Sequence, residues 1–127
     1  MEQIQSVQDC LNINSTTINP TFPEFPEQKD KEYYRADWEW SEIVKAYNKL
    51  RDKKYKADYI KGNVKNYPWT GLKEDSSKET GFGFSITTYR CTYTITDVGS
   101  RHAFTHPDDV MDAIRKFGQI YIKTRIY

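Results

Sequence analysis

Residues 81–104, GFGFSITTYRCTYTITDVGSRHAF, form the only long run that is dense in β-branched and aromatic residues and poor in helix formers. Phe82, Phe84 and Ile86 share one face by the two-residue period of a strand. Tyr89, Cys91, Tyr93 and Ile95 alternate in the other parity. A turn or bulge near Thr87–Thr88 reconciles the two, giving strands over about 81–86 and 89–96. Asp97-Val98-Gly99-Ser100 reads as the next turn and 101–104 as a third strand. The stretch therefore predicts a small antiparallel meander on which helices pack.

Helices are expected on both sides of it. Upstream, Pro26 and the acids after it open a long helix over about 27–53, in which Tyr33, Ala36, Trp40, Ile43, Tyr47 and Leu50 recur at three- and four-residue steps. Trp38 and Tyr34 fall off that stripe. Gly62, Asn63 and Asn66 end the helical pattern, Pro68 restricts Tyr67 to extended backbone, and 73–80, KEDSSKET, reads as a polar loop. Downstream, Thr105 caps a C-terminal helix over about 106–123, with Pro107, Asp108 and Asp109 in its first turn. Its buried stripe is Val110, Ile114, Phe117 and Tyr121, and Gly118 inside it marks close packing against the sheet. At the N-terminus, Ser6 and Asp9 form a capping box for a short helix to about Leu11. Residues 12–26, rich in Pro, Thr and Asn, form an extended connector with Phe22 and Phe25 as its anchors. The whole, 1–127, is one α+β domain.

Apolar residues make up 37% of the chain, but ten Tyr, six Phe and three Trp supply burial where aliphatics are scarce, which argues for a folded core and against disorder. Charge cancels overall but not locally. Residues 1–42 hold nine acids and three bases, a net of −6, and residues 45–65 hold eight bases and two acids, a net of +6. That basic centre either meets an acidic partner or matches the acidic N-terminal part internally. Cys10 and Cys91 lie far apart outside any CxxC spacing, and with only His102 and His106 they build no metal framework. No secretory signal and no membrane span are read in the sequence.

Two groups of residues are candidates for binding. Lys49, Arg51, Lys53, Lys54 and Lys56 with Tyr55 interleave cations and rings, a composition that suits phosphate contact plus stacking and equally a solvated helix end. Arg101, following Gly99 and Ser100, offers a guanidinium beside turn N–H groups for a phosphate or carboxylate, with Trp69, Phe82, Phe84 and Tyr93 as stacking rings. Gly81-Phe82-Gly83-Phe84 matches four positions of the central strand of the RNA-recognition motif. Thr80, Ser85 and Thr87 depart from it, and helices precede the strands, against that fold. No phosphate loop or nucleophile elbow is present, and neither Cys91 with His102 nor Asp108 with Asp109 completes a catalytic set. The chain reads as a non-enzyme without cofactor or metal.

Three pieces, Tyr67-Pro68-Trp69, then Gly81-Phe82-Gly83-Phe84-Ser85, then Val98-Gly99-Ser100-Arg101 before a strand and C-terminal helix, resemble a set of small proteins encoded by phages, including crAss-like ones, and mobile elements of Bacteroidetes. The similarity reaches back to Pro26-Glu27. The chain departs in having His102-Ala103 where that pattern has Leu-Cys. The resemblance implies an accessory protein in the cytoplasm of an infected bacterium, or one associated with the virion, and assigns no activity. Function is then expected to be binding of a macromolecule, nucleic acid or a host or phage protein. The alternatives are sequestering of a small nucleotide-like ligand, as in anti-defence proteins, and a structural role in the virion.

Overall fold

A computed structural model describes residues 2–17, 20–22, 24, 26–51, 65–92 and 102–127. Its elements are α1 (Val7–Asn14), α2 (Gln28–Arg51), β1 (Lys65–Glu74), β2 (Phe82–Thr92) and α3 (Pro107–Ile126), a mixed α+β fold with a two-stranded antiparallel sheet. The ends expected for the long helix, 52–53, and for the strand over 89–96, beyond Thr92, lie outside the described residues. So do Phe25, Lys53, Lys54, Tyr55, Lys56, Tyr93, Gly99, Ser100 and Arg101.

α1 begins at the expected capping box: Ser6 Oγ accepts from the Asp9 N–H at 3.2 Å, and Asp9 Oδ2 accepts from the Ser6 N–H at 3.1 Å. It runs on to Asn14, three residues into the expected connector, and stops where Ser15 turns left-handed at φ 57°. α2 buries Ala36, Trp40, Ile43, Val44 and Tyr47, while Leu50, expected on that stripe, is exposed and Asn48 is buried instead. Asn48 has work there. Its Nδ2 donates to the Ala103 carbonyl and its Oδ1 accepts from the Thr105 N–H, both at 2.9 Å, which fixes the entry to α3.

α3 is capped one residue later than expected, by His106, whose Nδ1 accepts from the Asp108 N–H at 3.1 Å. Pro107 then takes the first helical position, where its missing N–H costs nothing. Thr105 is not the cap; its Oγ1 is buried without a partner. The expected stripe of Val110, Ile114, Phe117 and Tyr121 is buried and meets α2 through Trp40, whose ring lies 5.2 Å from Tyr121 and 5.9 Å from Phe104.

The sheet differs most from expectation. The segments expected as two strands, 81–86 and 89–96, contribute to one continuous strand, β2. Its partner β1 comes from a stretch with only Tyr67 expected to be extended and with its last residues, Lys73 and Glu74, expected in the polar loop 73–80. The parity change is a bulge, placed earlier than Thr87–Thr88. Gly71 faces Ile86 and Leu72 faces Phe84, which leaves Ser85 without an opposite residue. Phe82 and Phe84 therefore share a face with Thr87, Tyr89 and Cys91, and Ile86 points to the other side. Of the described residues of the expected third strand, 102–104, Phe104 alone pairs, exchanging both backbone hydrogen bonds with Asn66 at 3.0 and 2.8 Å. Pro68, the next β1 residue to face that side, has no N–H to extend the ladder. The hairpin loop closes through a Lys78 N–H to Asp75 carbonyl bond and a Gly81 N–H to Lys78 carbonyl bond, with Gly81 at φ 80°.

Candidate binding surface on the hairpin

The hairpin separates the sequence-predicted ring residues. By its register Trp69 stands on one face with Tyr67, Thr88, Arg90 and Ile86, whereas Phe82 and Phe84 stand on the other, toward α3. Trp69, Phe82 and Phe84 therefore do not line one pocket. Trp69 is 49% and Ile86 61% exposed, and the Arg90 guanidinium lies over the Trp69 ring at 4.2 Å from its centroid. Arg90 carries no signal in the sequence, because its place beside Trp69 exists only once β1 pairs with β2.

On the opposite face the hairpin meets α3 at a glycine. A Cβ on Gly118 would approach Phe84 Cε2 to 2.6 Å, so the two elements touch here only because the side chain is absent. Phe117, just before it, has non-helical dihedrals (φ −125°, ψ 25°), and α3 kinks at this point. Thr80 and Gln119 tie the hairpin to the helix: Thr80 Oγ1 lies 2.7 Å from Gln119 Oε1, and Gln119 Nε2 donates to the Phe82 carbonyl at 3.0 Å.

Between β2 and α3 lies an open groove of about 770 Å³, with Phe84, Met111 and Ile114 among its apolar lining. Lys73, Lys78, Arg115 and Lys116 supply four cations to the lining, against the two carboxylates Asp75 and Asp112. Both carboxylates have partners. Asp75 Oδ1 accepts from the Ser77 hydroxyl and N–H, which holds its carboxyl below the usual range. Asp112 accepts from Tyr47 Oη at 2.6 Å, Lys116 Nζ at 2.9 Å and Arg115. Burial disfavours its ionised form, but the hydrogen bonds from Tyr47, Lys116 and Arg115 outweigh that and hold the carboxyl well below the usual carboxylate range.

Of the basic segment, only Lys49 and Arg51 are described. Arg51 makes a two-pronged pair with buried Asp109, Nε to Oδ2 at 2.9 Å and Nη2 to Oδ1 at 2.8 Å, bracing the end of α2 on the first turn of α3. Lys49 Nζ reaches the Asn14 carbonyl at 3.5 Å. Both cations thus make contacts within the fold.

One constellation resembles a hydrolase triad by composition alone. His102 Nε2 lies 3.1 Å from Asp37 Oδ1 and 3.2 Å from Ser41 Oγ, but a relay needs the acid and the nucleophile on different ring nitrogens. Ser41 Oγ also donates to the Asp37 carbonyl at 2.9 Å, directing its proton to the backbone. Cys91 is exposed on β2, and His102 Nε2 faces α2. Among the described residues no cluster of three or more His, Cys, Asp or Glu is placed to hold a metal ion, and no helix is long and apolar enough to cross a membrane. No family model, curated protein or solved structure matches the chain.

Proposed function

We propose that this chain is a non-enzymatic accessory protein of a phage or mobile element that works in the host cell by binding a macromolecule, with the outer face of the hairpin as its contact surface. One observation carries this reading: Trp69 and Ile86 stand in solvent on that face, with the Arg90 guanidinium stacked on the Trp69 ring. Trp and Arg are the residues most enriched at the energetic centres of interfaces, and a large apolar ring held by a cation has lost much of its freedom before any partner arrives. The resemblance of the YPW, GFGFS and VGSR pieces to phage proteins supplies the context.

The test is native mass spectrometry of freshly purified protein, with the 260/280 nm absorbance ratio read before and after a high-salt wash. Wild type is expected to retain a macromolecule that the exposed-face variant Trp69→Ala/Ile86→Ser loses. Nucleic acid as the partner would leave steeply with salt and would not survive charge reversal of Lys53, Lys54 and Lys56. A protein partner would persist. A bare 15.0 kDa chain under every condition overturns the reading.

A further inference from the structure

Among the described residues, no strand pairs with the edge of β2 that faces away from β1. Asn66 directs its backbone groups to Phe104 and away from β2, so by the alternation of an antiparallel ladder Tyr89, Thr87 and Cys91 direct theirs outward on the far side of β2. All three residues are exposed, and among the described residues no hydrogen bond reaches their outward N–H and C=O groups. Natural sheets blunt such an edge with Lys, Pro, an inward charge, a bulge or a covering element, and here the bulge at Ser85 interrupts the edge only on the hairpin side of Thr87. From Phe82 to Thr92 this strand has no Lys, no Pro and no inward charge, and its one charged residue, Arg90, is stacked on Trp69 on the other face. The groove against α3 meets this strand at Gly83, Phe84 and Thr87, with Phe84, Met111 and Ile114 as its apolar floor.

We infer that β2 is a docking edge for an extended, acidic and apolar segment of a partner protein, which adds as a strand beside β2 and lays alternate side chains into the groove against α3. The inference rests on the macromolecule-binding reading above and names the partner's chemistry. Backbone donors and acceptors recurring at every second residue, roughly 7 Å apart, are matched by an extended peptide and not by a helix, whose own groups are already used. Side chains of the added strand alternate between faces, so every second one enters the groove. There the apolar floor takes an aliphatic or aromatic residue. The surplus of cations over carboxylates in the lining, four against two, favours acids beside it. Lys73, near the end of β1, and Lys78, in the hairpin loop, make no ion pair among the described residues, although both help to hold the nearby Asp75 carboxyl down. They are the cations a partner carboxylate would meet. A second copy of β2 fits less well, since its sequence FGFSITTYRCT brings a cation and no acid to a cationic groove.

The test selects a displayed library of random dodecapeptides on the full-length chain, then synthesises the enriched peptides. Binding is mapped with a photo-crosslinking amino acid at Thr87, on the open edge and groove side, or at Ile86, on the Trp69 face. The expected result is enrichment of net-acidic sequences with apolar residues at alternate positions, crosslinked from position 87 and not from 86. Their affinity for Lys73→Glu/Lys78→Glu should be weaker by about tenfold. Thr87→Pro, which removes an outward N–H from the edge without touching the loop, the bonds to β1 or the charge of the groove, should weaken binding as well and serves where the double variant does not fold. Peptides that crosslink only from position 86, or that bind both variants as well as wild type, overturn the edge and leave the Trp69-face reading standing. No enrichment, with nucleic acid or self-assembly seen by native mass spectrometry, also overturns the edge alone. No enrichment and a bare monomer overturn both.

Discussion

Gly118 is where a single missing side chain decides how two elements meet. In a helix interior it costs about 1 kcal/mol relative to Ala, so some contact must offset the loss. The contact is the Phe84 ring edge, 2.6 Å from where a Cβ would be. Phe84 packs in turn on Tyr121, ring centroids 6.4 Å apart, and retreating into the groove would give up that contact. Gly118→Ala is therefore expected to destabilise the protein by about 1–2 kcal/mol through overpacking. In a Phe84→Ala background the same change should reverse sign and stabilise by up to about 1 kcal/mol, as its helix propensity alone dictates. Urea denaturation of the four proteins in this cycle measures both signs; stabilisation in both backgrounds would show that Phe84 swings aside freely. The glycine announced itself in the sequence, because a costly residue inside a well-patterned helix needs a cause. The identity of its partner did not, since Phe84 fits a core or an exposed ring equally until the register of the sheet is known. The same holds for Arg51: its charge and helical position are plain from the sequence, but its pairing with Asp109 joins two elements that only the fold brings together.

At the scale of elements, helices were legible and the sheet only half so. Caps and apolar stripes are local, and α1, α3 and the start of α2 lie within a few residues of where they place them, while the expected end of α2 lies outside the described residues. A strand is defined by its partner. Lys65–Glu74 contains Pro68, Gly71 and little β-branched character, so its own propensity is weak and β2 supplies the reason it is extended. Lacking β1, the parity break in 81–96 reads as a turn between two strands as readily as a bulge within one. This is also why Trp69 could be singled out from the sequence and grouped with rings on the wrong side. The loop that joins the strands was readable as polar, and its geometry makes the next prediction. Gly81 sits at φ 80° with nothing within 4 Å of where a Cβ would stand, so the only cost of a side chain there is backbone strain. Gly81→Ala should destabilise the hairpin by about 1–2 kcal/mol. Gly81→Asn should cost less, because Asn enters the left-handed region more readily. Equal losses for Ala and Asn in thermal melts would mean that something other than the dihedral holds Gly81.

Across the whole molecule, Asp112 joins the parts. From α3 it accepts from Tyr47 on α2, and it holds Lys116, whose Nζ donates on to the Ile4 carbonyl at 2.7 Å and so ties down the segment before α1. With its carboxyl held below the usual range in the native state, the unfolded chain takes up the proton first as pH falls. Its contribution is thus present above the unfolded value of about 4 and is lost as the pH drops below it. Tyr47 has the opposite sense. Burial, then the bond to Asp112, raises its pKa, so the native protein keeps the phenol proton where the unfolded chain has lost it. That contribution is present below about pH 10 and declines above it. Burial likewise pushes the Cys10 thiol up to about 12, which starts the alkaline decline earlier, from about pH 8.5. Asp112→Asn should accordingly cost about 2 kcal/mol at neutral pH, the size of a charge-assisted hydrogen bond, and flatten the acid limb of the stability profile. Tyr47→Phe should flatten the alkaline limb above about pH 10 while the part due to Cys10 persists. Urea denaturation of the three proteins from about pH 3 to about pH 11 separates the limbs. An acid limb unchanged in Asp112→Asn would assign the acid sensitivity to other carboxylates and overturn the role given to Asp112.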